Sequence, residues 1–186
     1  DKLYGMLRHE FPDEVDFSAA EFFRRVNQVK PSLIRVDADE VTYNMHIILR
    51  TELELAIVEG KLAVRDLPEA WNEKMRTLLG VTPSSDLTGV LQDVHWPSGA
   101  IGYFPTYLLG NVIGGQIWRA AQQSPQIASE LKSGETAALR EYLVGHIYQH
   151  GGKYSAPELL QKLYGTTFQV DCYVDYLNEK YQDIYR

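Results

Sequence analysis

The chain has 186 residues, of which 45 % are hydrophobic and 23 % are charged, a composition typical of a globular protein with a buried core. Its formal net charge is −7, with 18 Lys and Arg residues against 25 Asp and Glu residues and no long basic run, which argues against a nucleic-acid partner. The single cysteine, Cys172, excludes an internal disulfide and a cysteine-based zinc site. The sequence shows neither a membrane span nor a signal-peptide pattern, so we expect a cytoplasmic protein with no membrane partner.

Helical periodicity dominates the first half of the chain. In DFSAAEFFRRVNQVK, Ser18 is a candidate N-cap and Pro31 should end the helix. The next segment, RVDADEVTYNMHIILRTELELAIVEG, has the longest helical repeat, with Asp39 or Asp37 as the cap and Gly60 as the stop. We expect about twenty helical residues there, a rod of roughly 30 Å.

Shorter helices should follow, separated by glycine and proline. One should begin after Pro68 and end at Gly80, before the loop TPSSDLTG. The segment TYLLGNVIGGQIWRAAQQ predicts a further helix whose small residues would let another backbone approach closely. We expect two or three short helices after it, and a last helix in DCYVDYLNEKYQDIY. The small residues are Gly110, Gly114 and Gly115, and the glycines that separate the short helices are Gly134, Gly151 and Gly152.

The predicted fold is therefore mainly α. We expect a single helical region over residues 1–186, with one or two short strands near LIRVD or LAVRDL, where β-branched residues concentrate.

Two histidine patterns resemble parts of zinc motifs. In HEFPD, which begins at His9, the second histidine is replaced by Asp13, and Pro12 disrupts the helix that would align the ligands. HIYQH places His146 and His150 four residues apart, but no Glu follows the first histidine and two glycines end the helix. We interpret the first pattern as a solvated helix end and the second as histidines at a helix C-terminus.

Polar residues form a stripe along the long predicted helix, at spacings of three and four residues. On a helix face turned to water, this stripe would be an ordinary ion-pair face. On a helix buried on most sides, it would be a charged network of the kind that supports a functional site. The pattern leaves both alternatives open. The stripe consists of Asp39, Tyr43, His46, Arg50 and Glu54.

An aromatic loop is predicted at GVLQDVHWPSGAIGYFPTY. Loops rich in His, Tyr and Trp on a helical scaffold often carry binding or catalysis, and His95, Tyr103 and Tyr107 could donate hydrogen bonds to an oxyanion. The alternative is an aromatic loop packed into the core with its polar tips satisfied. Residue chemistry alone does not favour either.

These segments resemble the carboxypeptidase Taq family of zinc metallocarboxypeptidases. IRVDADEVTYNMHIILRTELE contains Ile-Arg-x-x-Ala-Asp, and GVLQDVHWPSGAIGYFPTYLLGN contains Gly-x-x-Gln-Asp-x-His-Trp. The runs VKPSLIR, DLPEAWNEKM and GYFPTYLLGN are similar as well, so the resemblance covers nearly the whole chain. It implies an almost wholly helical, zincin-like exopeptidase that releases C-terminal residues from peptides with broad specificity.

The resemblance also implies a metal and a partner. In the family, a helical His-Glu-x-x-His motif and a Glu from a following helix hold zinc or cobalt, which polarises the scissile carbonyl. This sequence contains no His-Glu-x-x-His. We therefore expect the C-terminal portion of a catalytic domain that binds no metal by itself, with a peptide substrate and the missing N-terminal half as partners. Family members tend to form homodimers, so a homodimer is also expected.

Residue roles follow from the same resemblance. Arg35 matches the arginine that clamps the terminal carboxylate of the substrate, a task suited to a planar bidentate donor. His95, with Tyr107 or Tyr103, matches the residues that stabilise the tetrahedral oxyanion. The residues expected to orient and support the site are Asp39, His46, Arg50, Gln92 and Asp93.

Three hypotheses remain open from the sequence. The favoured one is a portion of a metallocarboxypeptidase that works only with its missing half. The second is a catalytically inactive peptide-binding module that keeps the carboxylate clamp. The third is a structural or interaction fragment with an exposed apolar interface.

Overall fold

The computed structural model describes residues 2–185. Over this range the chain forms nine α-helices, four short 3-10 helices and no β-strand, which confirms the predicted mainly α fold class. The α-helices are α1 (Lys2–Glu10), α2 (Ala19–Val26), α3 (Thr42–Val58), α4 (Leu67–Leu79), α5 (Phe104–Ala121), α6 (Pro125–Ser133), α7 (Ala137–His146), α8 (Ala156–Tyr164) and α9 (Val170–Ile184).

The two predicted strands are wrong. LIRVD and LAVRDL contain the 3-10 helices Arg35–Asp37 and Val64–Asp66. A short-range bond closes each turn: the Ala38 amide donates to the Arg35 carbonyl at 3.1 Å, and the Asp66 amide donates to the Ala63 carbonyl at 2.9 Å. Since a strand is stable only beside another strand, β-branched residues alone could not hold these segments extended.

The helix ends follow local capping chemistry. The Ser18 hydroxyl accepts a hydrogen bond from the Glu21 amide at 3.1 Å, as predicted for the start of α2, although this helix ends at Val26, before Pro31. At the start of α3, the Asp39 carboxylate accepts from the amides of Val41 and Thr42 at 3.0 and 2.9 Å. These bonds satisfy donors that have no partner inside a helix, so Asp39 fixes where α3 begins.

The described chain divides into two compact units. One comprises Val26–Gly110, and the other comprises the described residues on either side of it. In the first unit, α3 and α4 pack together over a buried apolar core that includes Trp71. Both units are helical, and the assignment of residues 1–186 to one catalytic domain stays a prediction. The core residues are Leu49, Leu53, Leu67, Trp71, Met75 and Leu79.

In the second unit, α5 and α9 approach each other at a glycine. A Cβ on Gly115 would lie 2.9 Å from the Cα of Tyr173, closer than packed atoms tolerate. The predicted close backbone approach is therefore confirmed at this position. It is wrong at Gly110 and Gly114, where a Cβ would meet no described atom within 4 Å.

The histidine patterns occupy ordinary helix ends. His9 is exposed in the last turn of α1, as predicted. His146 ends α7, stacks on Tyr142 with ring centroids 4.1 Å apart and bonds to its carbonyl at 2.8 Å, whereas His150 lies in the separate 3-10 helix Tyr148–His150. The two histidines do not share a helix. None of the helices within residues 2–185 has the length and apolarity that a membrane crossing requires.

Candidate active site

The predicted site residues lie within the unit Val26–Gly110. Arg35 begins the 3-10 helix Arg35–Asp37, Asp39 precedes α3, and His46 and Arg50 lie on α3. The loop before α5 carries Gln92, Asp93, His95 and Tyr103, and Tyr107 lies in the first turn of α5. The side chains of His46 and Arg50 are fully buried, and Glu54 is 7 % exposed. The polar stripe of α3 therefore faces the interior, and the alternative of a water-facing ion-pair surface is wrong.

Arg35 is held by a carboxylate. Its Nε and Nη2 atoms donate to Asp93 Oδ1 at 3.0 and 2.7 Å, and Nη1 donates to the Tyr43 hydroxyl at 3.2 Å. The guanidinium also lies 5.2 Å from the ring centre of Tyr107, within cation–π range. Burial opposes the charge of Arg35, but the hydrogen bonds and charge of Asp93 outweigh it and raise the arginine pKa. Arg35 is therefore a fixed cation.

Arg50 binds the same carboxylate as Arg35, that of Asp93. Its Nε donates to Asp93 Oδ2 at 2.6 Å, and its Nη1 donates to the His46 carbonyl at 2.8 Å. The guanidinium lies 4.5 Å from the ring centre of Trp71 and 5.6 Å from that of Phe104. Burial lowers the pKa of Arg50 to about 10, so it remains charged at neutral pH.

Asp93 is the shared partner of both arginines. Burial would raise its pKa, but the hydrogen bonds and charges of Arg35 and Arg50 outweigh burial and hold the pKa below its ordinary value. Among residues 2–185, Asp93 is the one carboxylate in ion-pair contact with either arginine. Two guanidinium groups and one carboxylate leave the cluster with an excess positive charge.

Gln92 fixes the loop against the rest of the unit. Its side-chain oxygen accepts from the Arg35 amide at 3.0 Å and from Arg50 Nη2 at 2.8 Å. Its side-chain nitrogen donates to the carbonyls of Leu33 and Thr88 at 2.9 and 3.1 Å. Every polar group of this amide is used, so Gln92 links the start of the loop to both arginines.

His95 and Tyr107 form a hydrogen-bonded pair. His95 Nε2 lies 2.9 Å from the Tyr107 hydroxyl, and the imidazole packs on Phe104 with ring centroids 4.4 Å apart. His95 Nδ1 is buried 3.7 Å from Asp93 Oδ1 and has no hydrogen-bond partner among the described residues. Tyr103, whose ring lies 5.9 Å from the imidazole, is 50 % exposed. The structure thus brings the three predicted oxyanion donors together, with His95 beside Asp93.

Asp39 is peripheral to these contacts, whereas His46 contacts Arg50 directly, with Arg50 Nη1 3.4 Å from His46 Nδ1. Asp39 binds the first amides of α3 and the Lys30 amide at 2.9 Å, and although burial opposes its charge, these donors lower its pKa. His46 lies beneath Arg50, where burial and the arginine charge lower its pKa to about 4 and keep it neutral. Its Nε2 atom is buried without a hydrogen-bond partner among residues 2–185.

Sequence reasoning placed Glu54 in the polar stripe without a role of its own, and it assigned no role in the site to Trp71 or Phe104. Glu54 accepts from Trp96 Nε1 and from the Gly102 amide, both at 2.7 Å. Its spacing of four residues from Arg50 placed it on the polar stripe, but that spacing did not indicate its partners. Trp71 and Phe104 enclose Arg50, and the sequence marks both only as apolar core residues.

The resemblance implies a zinc or cobalt ion, and the described residues do not fit one. Within residues 2–185, no group of three or more His, Cys, Asp or Glu side chains is arranged to hold a metal ion. His46 lies near Arg50 and Arg35, whose charge would repel a metal cation, and the carboxylate nearest His95, that of Asp93, is already bound by both arginines. We assign no catalytic step through a metal to these residues.

Comparison with known proteins identifies the family. The model of the carboxypeptidase Taq (M32) metallopeptidases matches residues 1–181. The chain belongs to the M32 family. Thermostable carboxypeptidase 1 of Thermus thermophilus is 40 % identical over 186 residues, which are all of this chain and 36 % of that protein. Carboxypeptidase 1 of Bacillus subtilis is 39 % identical over 171 residues, which are 91 % of this chain and 34 % of that protein.

Solved M32 structures share the fold. The M32 carboxypeptidase from Deinococcus radiodurans R1 superposes with a TM-score of 0.93 at 39 % identity, over 98 % of this chain and 37 % of that one. Metallocarboxypeptidase 1 of Trypanosoma cruzi gives a TM-score of 0.91 at 34 % identity, over 97 % of this chain and 38 % of that one. The M32 chain described here spans about a third of the length of these relatives.

Proposed function

We propose that this M32 chain forms the substrate-carboxylate and oxyanion side of a metallocarboxypeptidase site that releases C-terminal residues from peptides. Family membership supports the metallocarboxypeptidase reaction. The zinc or cobalt ligands are then supplied by the two thirds of the M32 length that this chain does not cover. The homodimer and the cytoplasmic location remain proposals of the same kind.

The excess positive charge of the Arg35–Asp93–Arg50 cluster is the observation that carries this proposal. A buried charge without a counterion is costly, so the cluster gains stability when an anion approaches. Arg35 is held by Asp93 and by neighbouring groups, so it needs little reorganisation to receive a carboxylate, while the fully buried Arg50 adds positive charge to the cluster without contacting the ligand. A peptide C-terminus supplies that anion.

The His95–Tyr107 pair supplies the second part of the proposal. A tetrahedral oxyanion is stabilised by donors that are already in place before the reaction. His95 is held by Phe104 and by the Tyr107 hydroxyl, and Tyr107 also lies against the guanidinium of Arg35. The pair therefore lies next to the proposed carboxylate clamp. This arrangement suits a C-terminal residue, whose carboxylate and scissile peptide bond are one residue apart.

Reconstitution tests this function. The chain is mixed with a polypeptide that covers the remaining M32 length and carries the His-Glu-x-x-His helix, Zn²⁺ or Co²⁺ is added, and release of C-terminal residues is measured. We expect activity only on mixing. Arg35→Lys keeps the charge but loses the planar fork, and we expect it to raise KM at least about tenfold because it loses a bidentate contact.

Arg65→Lys is the matched control. Arg65 also lies in a 3-10 helix, Val64–Asp66, and its side chain is 87 % exposed. It should leave KM unchanged. Absence of activity in every mixture, with both polypeptides folded, would contradict the proposed reaction, and equal effects of the two lysine variants would contradict the clamp.

A catalytically inactive peptide-binding module is the second candidate function, because the charged cluster can bind an anion without a metal. Isothermal titration of the chain alone with a peptide acid and with its C-terminal amide separates the two cases. Preference for the acid in a chain that stays inactive in every mixture supports the binding module. Equal binding of acid and amide counts against any carboxylate clamp.

A further inference from the structure

The loop of residues 96–102 separates His95 from Tyr103 and is held at both ends by one side chain. Glu54, on α3, accepts a hydrogen bond from Trp96 Nε1 and another from the Gly102 amide, each at 2.7 Å. We propose that Glu54 is a positioning residue that sets the oxyanion donors through these two bonds. This inference rests on the proposed function and adds a residue outside both signature motifs.

The two bonds act directly beside the donors. Trp96 follows His95 in the chain, and Gly102 precedes Tyr103. Glu54 is only 7 % exposed, so its carboxylate is largely protected from competition by water. A shift of this carboxylate would move both ends of the loop, and with them the imidazole and the phenol.

The loop transmits such a shift because its own turns are closed. The Ala100 amide donates to the His95 carbonyl at 2.9 Å, and the Gly99 amide donates to the Trp96 carbonyl at 3.0 Å. Gly99 and Gly102 have φ angles of 78° and 76°, which favour glycine, so the turns depend on these two positions. The loop therefore moves as a short closed unit between its two bonds to Glu54.

Aromatic packing limits the direction in which the loop can move. The Trp96 ring contacts Trp71 edge-on, with centroids 6.2 Å apart, and Phe104 edge-on at 5.7 Å. Phe104 in turn packs on the His95 imidazole at 4.4 Å. Glu54 thus orients the Trp96 indole, and this indole packs on Phe104, which also packs on the proposed oxyanion donor His95.

A carboxylate is the group that this position requires. It has two acceptor oxygens and no donor, and it meets two neutral N–H donors. Hydrogen bonds to an ionised acceptor are shorter and stronger than those between neutral groups. A glutamine would place its NH₂ group against one of the two N–H donors, and one bond would be lost.

The first experiment uses the chain alone and does not depend on activity. Glu54→Gln is compared with wild type by ¹⁵N NMR of the Trp96 indole, the Gly102 amide and the His95 ring. We expect hydrogen exchange at least about tenfold faster at the Trp96 indole or the Gly102 amide, which corresponds to a lost hydrogen bond of about 1.4 kcal/mol. We also expect shifted signals of the His95 ring.

Glu52→Gln is the matched control. Glu52 is on the same helix, is exposed and pairs with Lys74, so the same chemical change there should leave His95 unchanged. Trp96→Phe provides a second test if Glu54→Gln does not fold, because it removes one donor and keeps an aromatic ring. It should shift the His95 signals too. Faster exchange at Trp96 or Gly102 with unchanged His95 signals in these variants would overturn the positioning role.

Kinetics in the reconstituted enzyme provide the functional test. Displaced oxyanion donors weaken transition-state binding more than substrate binding, so Glu54→Gln should lower kcat at least about tenfold and leave KM within about twofold. A changed KM with normal kcat would overturn the proposal. If no mixture is active, the proposed function fails, whereas the NMR result still decides whether Glu54 positions His95.

Discussion

At the scale of single residues, the site depends on one carboxylate shared by two arginines. The α3 stripe could be predicted from spacing, but its burial could not, because the same spacing suits a solvated face. The partner of Arg50 could not be predicted either, since Asp93 is 43 residues away in sequence. The family motifs named Arg35 and His95, and the structure adds the contacts that hold them.

Asp93→Asn tests the shared carboxylate. The substitution keeps the size of the side chain and removes the negative charge between two buried guanidinium groups. We expect the free energy of unfolding to fall by about 3–5 kcal/mol, as when one partner of a buried ion pair is removed. Chemical denaturation followed by circular dichroism measures this.

Asp66→Asn is the control for the same change at the surface. Asp66 pairs with Arg65 at 3.7 Å, and both side chains are more than half exposed. Its effect should stay within about 0.5 kcal/mol, because exposed ion pairs contribute little. Similar losses of unfolding free energy in the two variants would show that the charge of Asp93 contributes no more to stability than that of an exposed carboxylate.

At the scale of secondary-structure elements, local chemistry predicted most helix ends and failed where neighbours decide the outcome. Ser18 lies at the predicted start of α2, and Gly80 lies at the predicted end of α4, because capping depends on adjacent residues. Whether LIRVD is extended depends on a partner strand, which the sequence does not show. In the same way, three glycines of α5 looked equivalent, yet only Gly115 meets a neighbouring backbone within the described residues.

Gly115→Ala tests that helix contact. The added Cβ would lie 2.9 Å from the Cα and the Cβ of Tyr173, so α5 or α9 must shift. We expect a loss of about 1–3 kcal/mol in unfolding free energy, typical of overpacking. The matched variant is Gly114→Ala, one residue earlier in the same helix, where a Cβ meets open space. It should stabilise the chain by up to about 1 kcal/mol through helix propensity, and a loss there would contradict the explanation.

At the scale of the whole molecule, the chain spans about a third of its M32 relatives, yet the proposed clamp and oxyanion donors lie together inside Val26–Gly110. The resemblance implied that these residues belong to one site, but the sequence predicted a single helical region over residues 1–186 and did not indicate this unit. The charge balance of the cluster could not be read from the sequence, since it depends on which carboxylates reach the arginines in space.

The stability of the chain should depend on pH through His46. Its pKa is about 4 in the folded chain, below the ordinary value of 6.5, so the unfolded chain binds the proton more readily. Stability should therefore be full above about pH 6.5 and fall by about 3 kcal/mol as the pH drops to about 4. The lowered pKa values of Asp93 and Asp39 add a further loss only in more acidic solution.

Thermal unfolding between pH 4 and 7 measures this dependence. His46→Gln should flatten the curve over that interval, whatever its effect on absolute stability. His146→Gln is the control, because His146 is exposed at the end of α7. A curve that keeps its slope in His46→Gln would assign the effect to another group.

The shared carboxylate also couples ligand binding to folding. The arrangement of Arg35, Asp93 and Arg50 exists only in the folded unit, because its members come from distant parts of the sequence. An anion that binds this arrangement and not the unfolded chain stabilises the fold by mass action, by about 2.7 kcal/mol at a hundredfold excess over Kd. A carboxylate that occupies the proposed clamp would then also act as a folding ligand, and the chain would be less stable without it.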